Sequence, residues 1–298
     1  MKKYLSFLLL FSMAFTVPAF AGEVQEPDVL QGSEANVIIG DETPSEMLIN
    51  QNEINRKKVG KKPESCPVLT YHHLTTDVSQ TGSWTTTPEK FEKDLKKLLE
   101  NGYAFITTDE WIEGQKSGGT LPEKPVIIQF DDGYTSVYEL AYPILHKYNI
   151  PAEIYIITDA SKETPYRHGN DLFLSWPQLK VMEDGGLIDI HLHGKSHVKI
   201  TSLTSEQLAH DYEFAQKLID EKLGPRMWYY VYPSGVYTEE SLEIINDIGC
   251  AMQFVWAWEQ IPDLDKYPVM LRMNVDYNSD VLEVIKGYND IINENKDR

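Results

Sequence analysis

The sequence predicts an α/β fold in which about seven parallel strands, each followed by a helix, close into a barrel. From Pro67 onward, short apolar runs alternate with segments of helical period, which is the pattern of a parallel sheet with helical connections. Seven or eight such pairs suit a closed barrel better than an open sheet. Residues suited to catalysis follow the ends of the strands, where barrels carry their active sites.

The individual elements are predicted from their apolar pattern and their boundary residues. The strands are expected at 68–71, 104–107, 126–130, 153–157, 187–190, 228–232, 251–256 and 271–275. The helices are expected to begin near 88 and 109, to cover 136–148, 176–183, 205–222 and 239–247, and to begin again at 281. Thr87 and Ser175 are candidate N-caps, and Gly102 follows the end of the first helix.

Two segments precede the predicted barrel. Residues 1–21 have the pattern of a secretory signal peptide: two lysines, an apolar run too short to span a bilayer, and small residues before the cleavage point. We expect cleavage after Ala21, no stable membrane insertion afterwards, and a secreted or extracytoplasmic protein, with a retained anchor as the alternative. Residues 22–65 are polar and lack a sustained period, which predicts a disordered leader. The catalytic domain is then expected at 66–298.

The charge and the cysteines narrow the choice of partners and compartment. The net charge is −19, and removal of a segment with two lysines and no acid makes the mature chain more negative still. Such acidity argues against nucleic acid or anionic lipid as a partner. It permits a cationic polymer nearby, although a solvated acidic surface explains it equally well. The two cysteines, Cys66 and Cys250, either form one disulfide or remain buried thiols, and the sequence leaves both open.

Two adjacent acids follow the strand predicted at 126–130. Asp131 and Asp132 lie directly after apolar residues, and carboxylates in such a place are costly unless a charge compensates them. An exposed Asp-Asp-Gly turn has the same local sequence. If the acids are functional, one can hold a metal while the other takes a proton from water, as in a metal-assisted hydrolase.

Two histidines follow the strand predicted at 187–190. His193 and His197 are four residues apart, a spacing that predicts one face of a helical turn from which both rings reach one metal. Surface histidines show the same spacing. His191 is expected to point elsewhere on strand geometry. One carboxylate and two imidazoles can hold a divalent metal and leave positions open for water and substrate.

Together these motifs resemble the polysaccharide deacetylases, the family 4 carbohydrate esterases with a NodB-like domain, over most of residues 67–285. The similar motifs are Phe-Asp-Asp-Gly at 130–133, His-x-x-x-His at 193–197, Tyr-Pro-Ser-Gly at 232–235 and Tyr-His-His at 71–73. The stretch 173–185 is similar to family members that act on poly-N-acetylglucosamine and related exopolysaccharides.

The resemblance implies a distorted (β/α) barrel of about seven strands with a divalent metal, expected to be Zn²⁺, on Asp132, His193 and His197. Asp131 would be the general base, and the backbone N–H of Ser234 would help to hold the oxyanion. The substrate would be an N-acetylglucosamine-containing polysaccharide that loses its N-acetyl groups. An O-deacetylase of xylan or another acetylated glycan and a catalytically weak glycan-binding homologue are the alternatives.

Two departures from the family pattern concern the catalytic groups. Val231 stands where the third motif usually begins with an arginine, and Arg272 is expected to take its place beside Asp131. The late histidine that serves as the general acid has no counterpart, because no histidine follows His210.

Another residue must then protonate the leaving amine if the chemistry is intact. The candidates are His72, His73 and His191, with water as the alternative. We choose His72, because strand alternation sends the two neighbours at the end of the first strand to opposite sides and because the place of His72 beside Tyr71 matches the signature of the family that the sequence resembles. The predicted catalytic residues are thus Asp131, Arg272 and His72.

Aromatic residues are available to stack on sugar rings, among them Trp84, Tyr134, Trp256 and Trp258. Tyr134, beside the acids, is predicted to contact the substrate. Core filling is an equally good explanation for each, and Trp256 lies within an apolar strand. No Gly-x-Ser-x-Gly motif supports serine hydrolase chemistry.

Overall fold

The computed structural model describes residues 50–60, 62–257 and 261–296. The signal peptide predicted at 1–21, most of the leader predicted at 22–65, and Trp258 lie outside the described residues. No helix of the described ranges is long and apolar enough to cross a membrane.

The described strands are parallel except for one hairpin. In chain order they are β1 (Val68–Tyr71), β2 (His73–Leu74), β3 (Thr85–Thr86), β4 (Ala104–Phe105), β5 (Pro125–Phe130), β6 (Ala152–Ile156), β7 (Tyr166–His168), β8 (Asp171–Phe173), β9 (Ile188–Leu192), β10 (Tyr229–Val231), β11 (Met252–Trp256) and β12 (Val269–Asn274). Seven of them form a ring in the order β1, β12, β11, β10, β9, β6 and β5, closed by pairing of β5 with β1. The predicted fold class, a closed barrel of about seven parallel strands, is confirmed.

The helices connect the strands and cover the outside of the ring. They are α1 (Gln51–Arg56), α2 (Pro88–Glu100), α3 (Thr108–Gln115), α4 (Tyr142–Tyr148), α5 (Trp176–Asp184), α6 (Ser205–Leu223), α7 (Glu239–Asp247) and α8 (Val281–Lys296). Thr87 caps α2 by accepting a hydrogen bond from the Lys90 N–H, and Ser175 forms a capping box at α5, as predicted. Val137–Ala141 forms a π-helical turn before α4, where a continuous α-helix was expected.

The disordered leader predicted for 22–65 is wrong at its C-terminal end, because α1 forms there and binds the barrel domain. Asn55 donates to the carbonyl oxygens of Leu99 and Tyr103 at 2.9 and 2.8 Å. The Phe105 N–H donates to Asn52 Oδ1 at 2.8 Å. These asparagines are buried to pair backbone groups rather than to fill a core, so the segment lacks the apolar period that signals a packed helix.

Side chains that point into the barrel change from apolar to polar along its axis. The part of the barrel farther from the C-terminal ends of the strands is filled by an apolar cluster that includes Val68, Ile127, Phe254 and Met270. The buried polar side chains that follow on the same strand faces include Thr70, Gln129, Asp131, Glu153 and Arg272. The barrel is therefore a packed core with a polar layer beneath its C-terminal mouth.

Cys66 and Cys250 are both buried and free, so the disulfide that the sequence left open is not formed. Cys66 belongs to the apolar cluster inside the barrel, whereas Cys250 packs in the separate cluster between the strands and the helices. Burial raises the pKa of both thiols, which keeps them protonated and unreactive at neutral pH.

Candidate active site

Three side chains converge at the C-terminal mouth of the barrel in a geometry suited to a metal. Asp132 follows β5, while His193 and His197 lie in the loop after β9. The Nε2 atoms of His193 and His197 are 3.4 and 3.5 Å from Asp132 Oδ1, and one ligand atom from each residue lies within 4.8 Å of the others. The structure therefore brings together the metal set that the sequence predicts.

The helical turn predicted for residues 193–197 is wrong. Gly194 and His197 have φ values of 75° and 57°, which a right-handed helix does not allow. The two rings meet because this loop doubles back, with their centroids 4.8 Å apart. The backbone of Asp132 is also in the left-handed conformation, with φ 68°. The turn after β5 therefore directs the Asp132 carboxylate towards the two imidazoles.

The ring of His193 is held in one orientation by the neighbouring strand. Its Nδ1 lies 2.9 Å from the carbonyl oxygen of Val231. Because a carbonyl oxygen only accepts, Nδ1 carries the proton, and in the neutral ring Nε2 presents its lone pair towards Asp132. This arrangement leaves His193 prepared to bind a metal through Nε2.

The loop itself is fastened by Asp211 of α6, a residue that the sequence analysis missed. Its Oδ2 accepts the Lys195 N–H at 2.8 Å. A β-carbon at Gly194 would lie only 3.0 Å from the same oxygen, and the φ of 75° at this position also favours glycine. The sequence pattern of α6 predicts only which of its residues face the core. It does not indicate that Asp211 binds the loop that carries His193 and His197.

The charges of the site stabilise one another. Burial alone would raise the pKa of Asp132, but its contact with His193 and the charges of His72 and His197 hold that pKa well below its usual value. Burial would lower the pKa of His193, yet Asp131 and Asp132 outweigh it and raise that pKa. The pKa of His197 is lowered by burial and by the charge of His193.

Asp131, the predicted base, forms a bidentate ion pair with Arg272 of β12. The two terminal nitrogens donate to Oδ1 and Oδ2 at 2.7 and 2.8 Å, and both side chains are almost fully buried. Burial would raise the pKa of Asp131, but Arg272, followed by His193, lowers it below its usual value. The predicted proximity of Arg272 and Asp131 is confirmed, and the carboxylate is kept ionised.

The three candidate proton donors lie in different places. His72 lines the mouth, with its Nε2 3.6 Å from Asp131 Oδ2, and burial lowers its pKa. His73 points away and contacts the edge of Tyr134, 5.1 Å between ring centroids. His191 is buried inside the barrel against Tyr155 and Tyr229. Of the three, His72 is the one placed beside the base.

These groups surround a cavity of about 350 Å³. It is lined by His72, Trp84, Asp131, Asp132, Tyr134, His193, His197, Tyr232, Ser234, Gly235 and Trp256. The predicted substrate contacts, Tyr134 and Ser234, are therefore both at the site. Burial, followed by the charge of Asp132, raises the pKa of Tyr134, so its hydroxyl stays protonated.

The third motif forms a tight turn against Trp256. Ser234 and Gly235 both have positive φ, 59° and 67°, and the Gly235 N–H donates to the Tyr232 carbonyl at 2.8 Å. A β-carbon at Gly235 would lie 1.6 Å from the indole ring of Trp256. Trp256 is buried as the sequence predicts, yet it also forms a wall of the cavity.

The donor set fits a divalent metal. One carboxylate oxygen and two imidazole nitrogens are common ligands of zinc and of similar divalent ions. They lie close enough to share one ion, and His193 is already held in the tautomer that such binding needs. Asp131 lies outside the group of three, paired with Arg272, and so remains available for proton transfer.

Comparisons with known proteins agree with this site. The family described as "Polysaccharide deacetylase" matches residues 118–253. YxkH of Bacillus subtilis, whose name assigns it to the polysaccharide deacetylases, is 33% identical over 192 residues, which cover 64% of each chain. This chain thus spans less than two thirds of that relative. A poly-β-1,6-N-acetyl-D-glucosamine N-deacetylase of Staphylococcus aureus is 26% identical over 227 residues, 70% of this chain and 77% of the relative.

Among solved structures, IcaB of Ammonifex degensii is similar in fold, with a TM-score of 0.61 and 26% identity over 72% of this chain and 93% of that one. The stretch 118–253, which carries Asp131, Asp132, His193 and His197, is thus similar to the polysaccharide deacetylases.

Proposed function

We propose that this protein is a metal-dependent hydrolase that removes N-acetyl groups from an N-acetylglucosamine-containing polysaccharide outside the cytoplasm. The observation that carries the proposal is that one cavity brings together the Asp132, His193 and His197 donors and the Asp131–Arg272 pair. A metal-ligand set beside a separate ionised base is what hydrolysis of an unreactive amide requires. The proposed metal is Zn²⁺, which prefers these nitrogen and oxygen ligands.

The residues of the chain would each contribute a definite step. When bound, zinc supplies Lewis-acid chemistry that polarises a carbonyl and acidifies water. Asp131, ionised through its pair with Arg272, takes the proton of the attacking water. His72, beside it at 3.6 Å, protonates the leaving amine. The Ser234 N–H helps to hold the negative oxygen of the intermediate.

The choice of His72 as the acid follows from its surroundings. Its ring stacks on Trp256 with centroids 6.1 Å apart and an angle of 11° between the rings. It also meets the ring of Trp84 in an edge-to-face contact with centroids 4.7 Å apart. This packing fixes the imidazole at the cavity wall. Because burial lowers its pKa, the ring is mostly neutral at neutral pH. The proton that it gives to the amine would therefore be the one that Asp131 takes from the attacking water, passed on across the 3.6 Å between Asp131 Oδ2 and His72 Nε2.

An extended polymer is favoured over a small acetylated molecule. Trp84 is 47% exposed at the rim of the cavity, although its backbone is held by the hydrogen bond from the His73 N–H to its carbonyl oxygen. A fixed indole that faces solvent suits stacking on a neighbouring sugar ring. The name of the Staphylococcus aureus relative specifies a β-1,6-linked N-acetylglucosamine polymer, and the same substrate class is proposed here.

The extracytoplasmic location is proposed from the sequence of residues 1–21 alone. Expression of the full chain in a bacterial host, with N-terminal sequencing of the exported product, tests it. Export and a mature N-terminus at Gly22 are expected. A full-length product retained in the cytoplasm would contradict the location without affecting the chemistry.

Acetate release from the purified protein tests the activity. The substrates are N-acetylglucosamine, its short oligomers, poly-N-acetylglucosamine and peptidoglycan, each assayed with zinc and with chelator. Zinc-dependent release that increases with chain length is expected, and Asp131→Asn is the inactive control. An acetylated xylan, assayed in parallel, tests the O-deacetylase alternative: release from the ester but from none of the amides would replace the present proposal.

The same assay tests the alternative that the protein only binds glycan and has no catalytic activity. Such a protein needs no buried base, whereas Asp131 and Arg272 are both buried in a bidentate pair at considerable cost in desolvation. Their presence at the cavity supports catalysis. Polymer binding without acetate release in zinc-loaded protein would favour the binding alternative.

A further inference from the structure

Beneath the catalytic pair lies a buried carboxylate to which the mechanism assigns no role. Glu153, in the middle of β6, has no exposed surface. It points into the barrel, level with Gln129 of β5 on one side and with Asp189 of β9 on the other. A charged side chain in such a place is expensive to bury unless its partners compensate it, so its contacts indicate what it does.

Every described hydrogen bond to the Glu153 carboxylate is donated by its partner. The Thr108 N–H, in the first turn of α3, donates to Oε1 at 2.6 Å. The Tyr155 hydroxyl and Gln129 Nε2 donate to Oε2 at 2.9 and 3.0 Å. Three donors suit an ionised carboxylate, which only accepts. Burial raises the pKa of Glu153 to about 7, and these hydrogen bonds limit that rise.

Gln129 joins this carboxylate to the catalytic arginine. Its Nε2 faces Glu153, while its Oε1 lies 3.4 Å from Nη1 of Arg272. The same Nη1 donates to Asp131 at 2.7 Å. The amide is thus oriented with its oxygen towards a cation and its nitrogen towards an anion. Reversal of the amide would place an N–H against Arg272, and the Glu153 carboxylate prevents this reversal.

We propose that Glu153 is a positioning residue, which acts through Gln129 to hold the guanidinium of Arg272 in the plane that makes both contacts to Asp131. The Cα of Arg272 is level with Val68, at the start of β1. Asp131 follows Phe130, which is level with Tyr71 at the end of β1. The side chain of Arg272 must therefore extend towards the C-terminal mouth of the barrel to reach Asp131. A long side chain in that position has freedom to tilt. Gln129 on one side and the face of Trp256, 4.3 Å from the guanidinium carbon, restrict it.

The matched variants are Glu153→Gln and Asp189→Asn. Each removes one buried or half-buried carboxylate from the same level of the barrel, but no described hydrogen bond joins Asp189 to Gln129 or Arg272. In Glu153→Gln, the new amide meets three donors, so Gln129 is expected to turn and lose its contact with Arg272. An effect of charge alone would appear in both variants, whereas a positioning effect would appear only in the first.

The kinetic test uses zinc-loaded full-length protein at pH 8, where Glu153 is ionised, with N-acetylglucosamine oligomers as substrate. Glu153→Gln is expected to lower kcat about tenfold or more with KM and zinc content unchanged, and Asp189→Asn to leave kcat within twofold. Gln129→Met should reproduce the loss, and Glu153→Gln should add nothing to it. Losses that multiply in the double variant, or an equal loss in Asp189→Asn, would overturn the proposal.

The inference rests on the proposed function for its kinetic test only, so a crystallographic readout is added. In Glu153→Gln and in Gln129→Met, at least one of the two contacts between Arg272 and Asp131 should be lost, while Asp189→Asn keeps both. Retention of both contacts in the first two variants would overturn the positioning role. If the wild-type protein releases no acetate, the proposed function fails, and the crystal structures still decide the role of Glu153.

Discussion

Arg272 and Asp131 form a fully buried bidentate ion pair that spans one strand of the barrel. Arg272 belongs to β12 and Asp131 follows β5, and both strands pair with β1, which lies between them. In the polysaccharide deacetylase pattern that the sequence resembles, this arginine begins the third motif, where Val231 stands here. The cation thus comes from a different strand, yet both of its terminal nitrogens meet the carboxylate, at 2.7 and 2.8 Å.

Replacement of Arg272 by lysine should damage catalysis without loss of metal. An ammonium group cannot make two parallel hydrogen bonds to one carboxylate, so Asp131 would lose its fixed orientation. We expect Arg272→Lys to lower kcat about a hundredfold, with zinc content unchanged by elemental analysis. Wild-type kcat in this variant would show that the bidentate contact is dispensable.

Each of the three donors should be needed for the metal. Asp132→Asn, His193→Ala and His197→Ala are expected to lose zinc in elemental analysis and to lose acetate release with it, because three protein ligands leave no redundancy. His73→Ala is the control, since this histidine lies beside His72 after the end of β1 but contacts Tyr134 and is not one of the three donors. Full zinc occupancy in His193→Ala would contradict the assigned ligand set.

The role of His72 as an acid can be separated from a role in metal binding. His72→Ala should slow acetate release from amide substrates at least tenfold, while zinc content and the hydrolysis of an aryl acetate change little. An aryloxide leaves without protonation, whereas an amine does not. Equal loss on both substrates would indicate a role in binding or structure, and an unchanged amide rate would leave water as the donor.

Gly235 should tolerate no side chain. Gly235→Ala places a methyl group where Trp256 already lies, 1.6 Å from its indole ring, at a φ of 67°. We expect a loss of about 3 kcal/mol or more in the free energy of unfolding, measured by chemical denaturation. Gly169→Ala is the control, because it also has positive φ but has open space around it. Equal losses in the two variants would refute the steric argument.

Glu153 should make stability fall as the pH rises towards neutrality. Its folded pKa, raised by burial to about 7, lies above the unfolded value of about 4.3, so unfolding releases a proton between these values and stability decreases with rising pH. The acids Asp131 and Asp132 act in the opposite direction at lower pH, since their folded pKa values are lowered.

Chemical denaturation of Glu153→Gln and wild type at pH 5 and pH 8 measures this effect. Relative to wild type, the variant should gain on the order of 3 kcal/mol over that interval, because an amide does not titrate. Asp94→Asn is a second test outside the barrel, because burial raises the pKa of Asp94 as well, and this variant should shift in the same direction. A stability difference that does not change with pH would show that the pKa of Glu153 is not raised.

The fold could be predicted from the sequence because strand and helix signals alternate with sharp boundaries. Thr87 and Ser175 cap helices as expected. The β7–β8 hairpin was missed, since Tyr166–His168 is exposed and has no apolar run. The segment α1 was missed because its buried asparagines satisfy backbone groups at a distance in sequence.

The spacing of the motifs predicted the three metal-binding residues, but it did not predict the backbone conformation that brings them together. His193 and His197 meet through left-handed residues, and a spacing of four was wrongly interpreted as helical. Glu153 carries a signal that could have been used. In β6, Glu153 and Tyr155 alternate with apolar residues, which places a carboxylate and a phenol on the inner face of a buried strand. Such a pattern is costly without partners, and those partners are visible only in three dimensions.

The most direct test of the central claim is acetate release from poly-N-acetylglucosamine oligomers by metal-free protein reconstituted with zinc, with Asp131→Asn measured in parallel. The account predicts zinc-dependent release by the wild-type chain, and a loss of about a thousandfold in Asp131→Asn although the variant binds zinc equally well. Release that is independent of zinc, or a zinc-loaded Asp131→Asn variant as active as wild type, would contradict it.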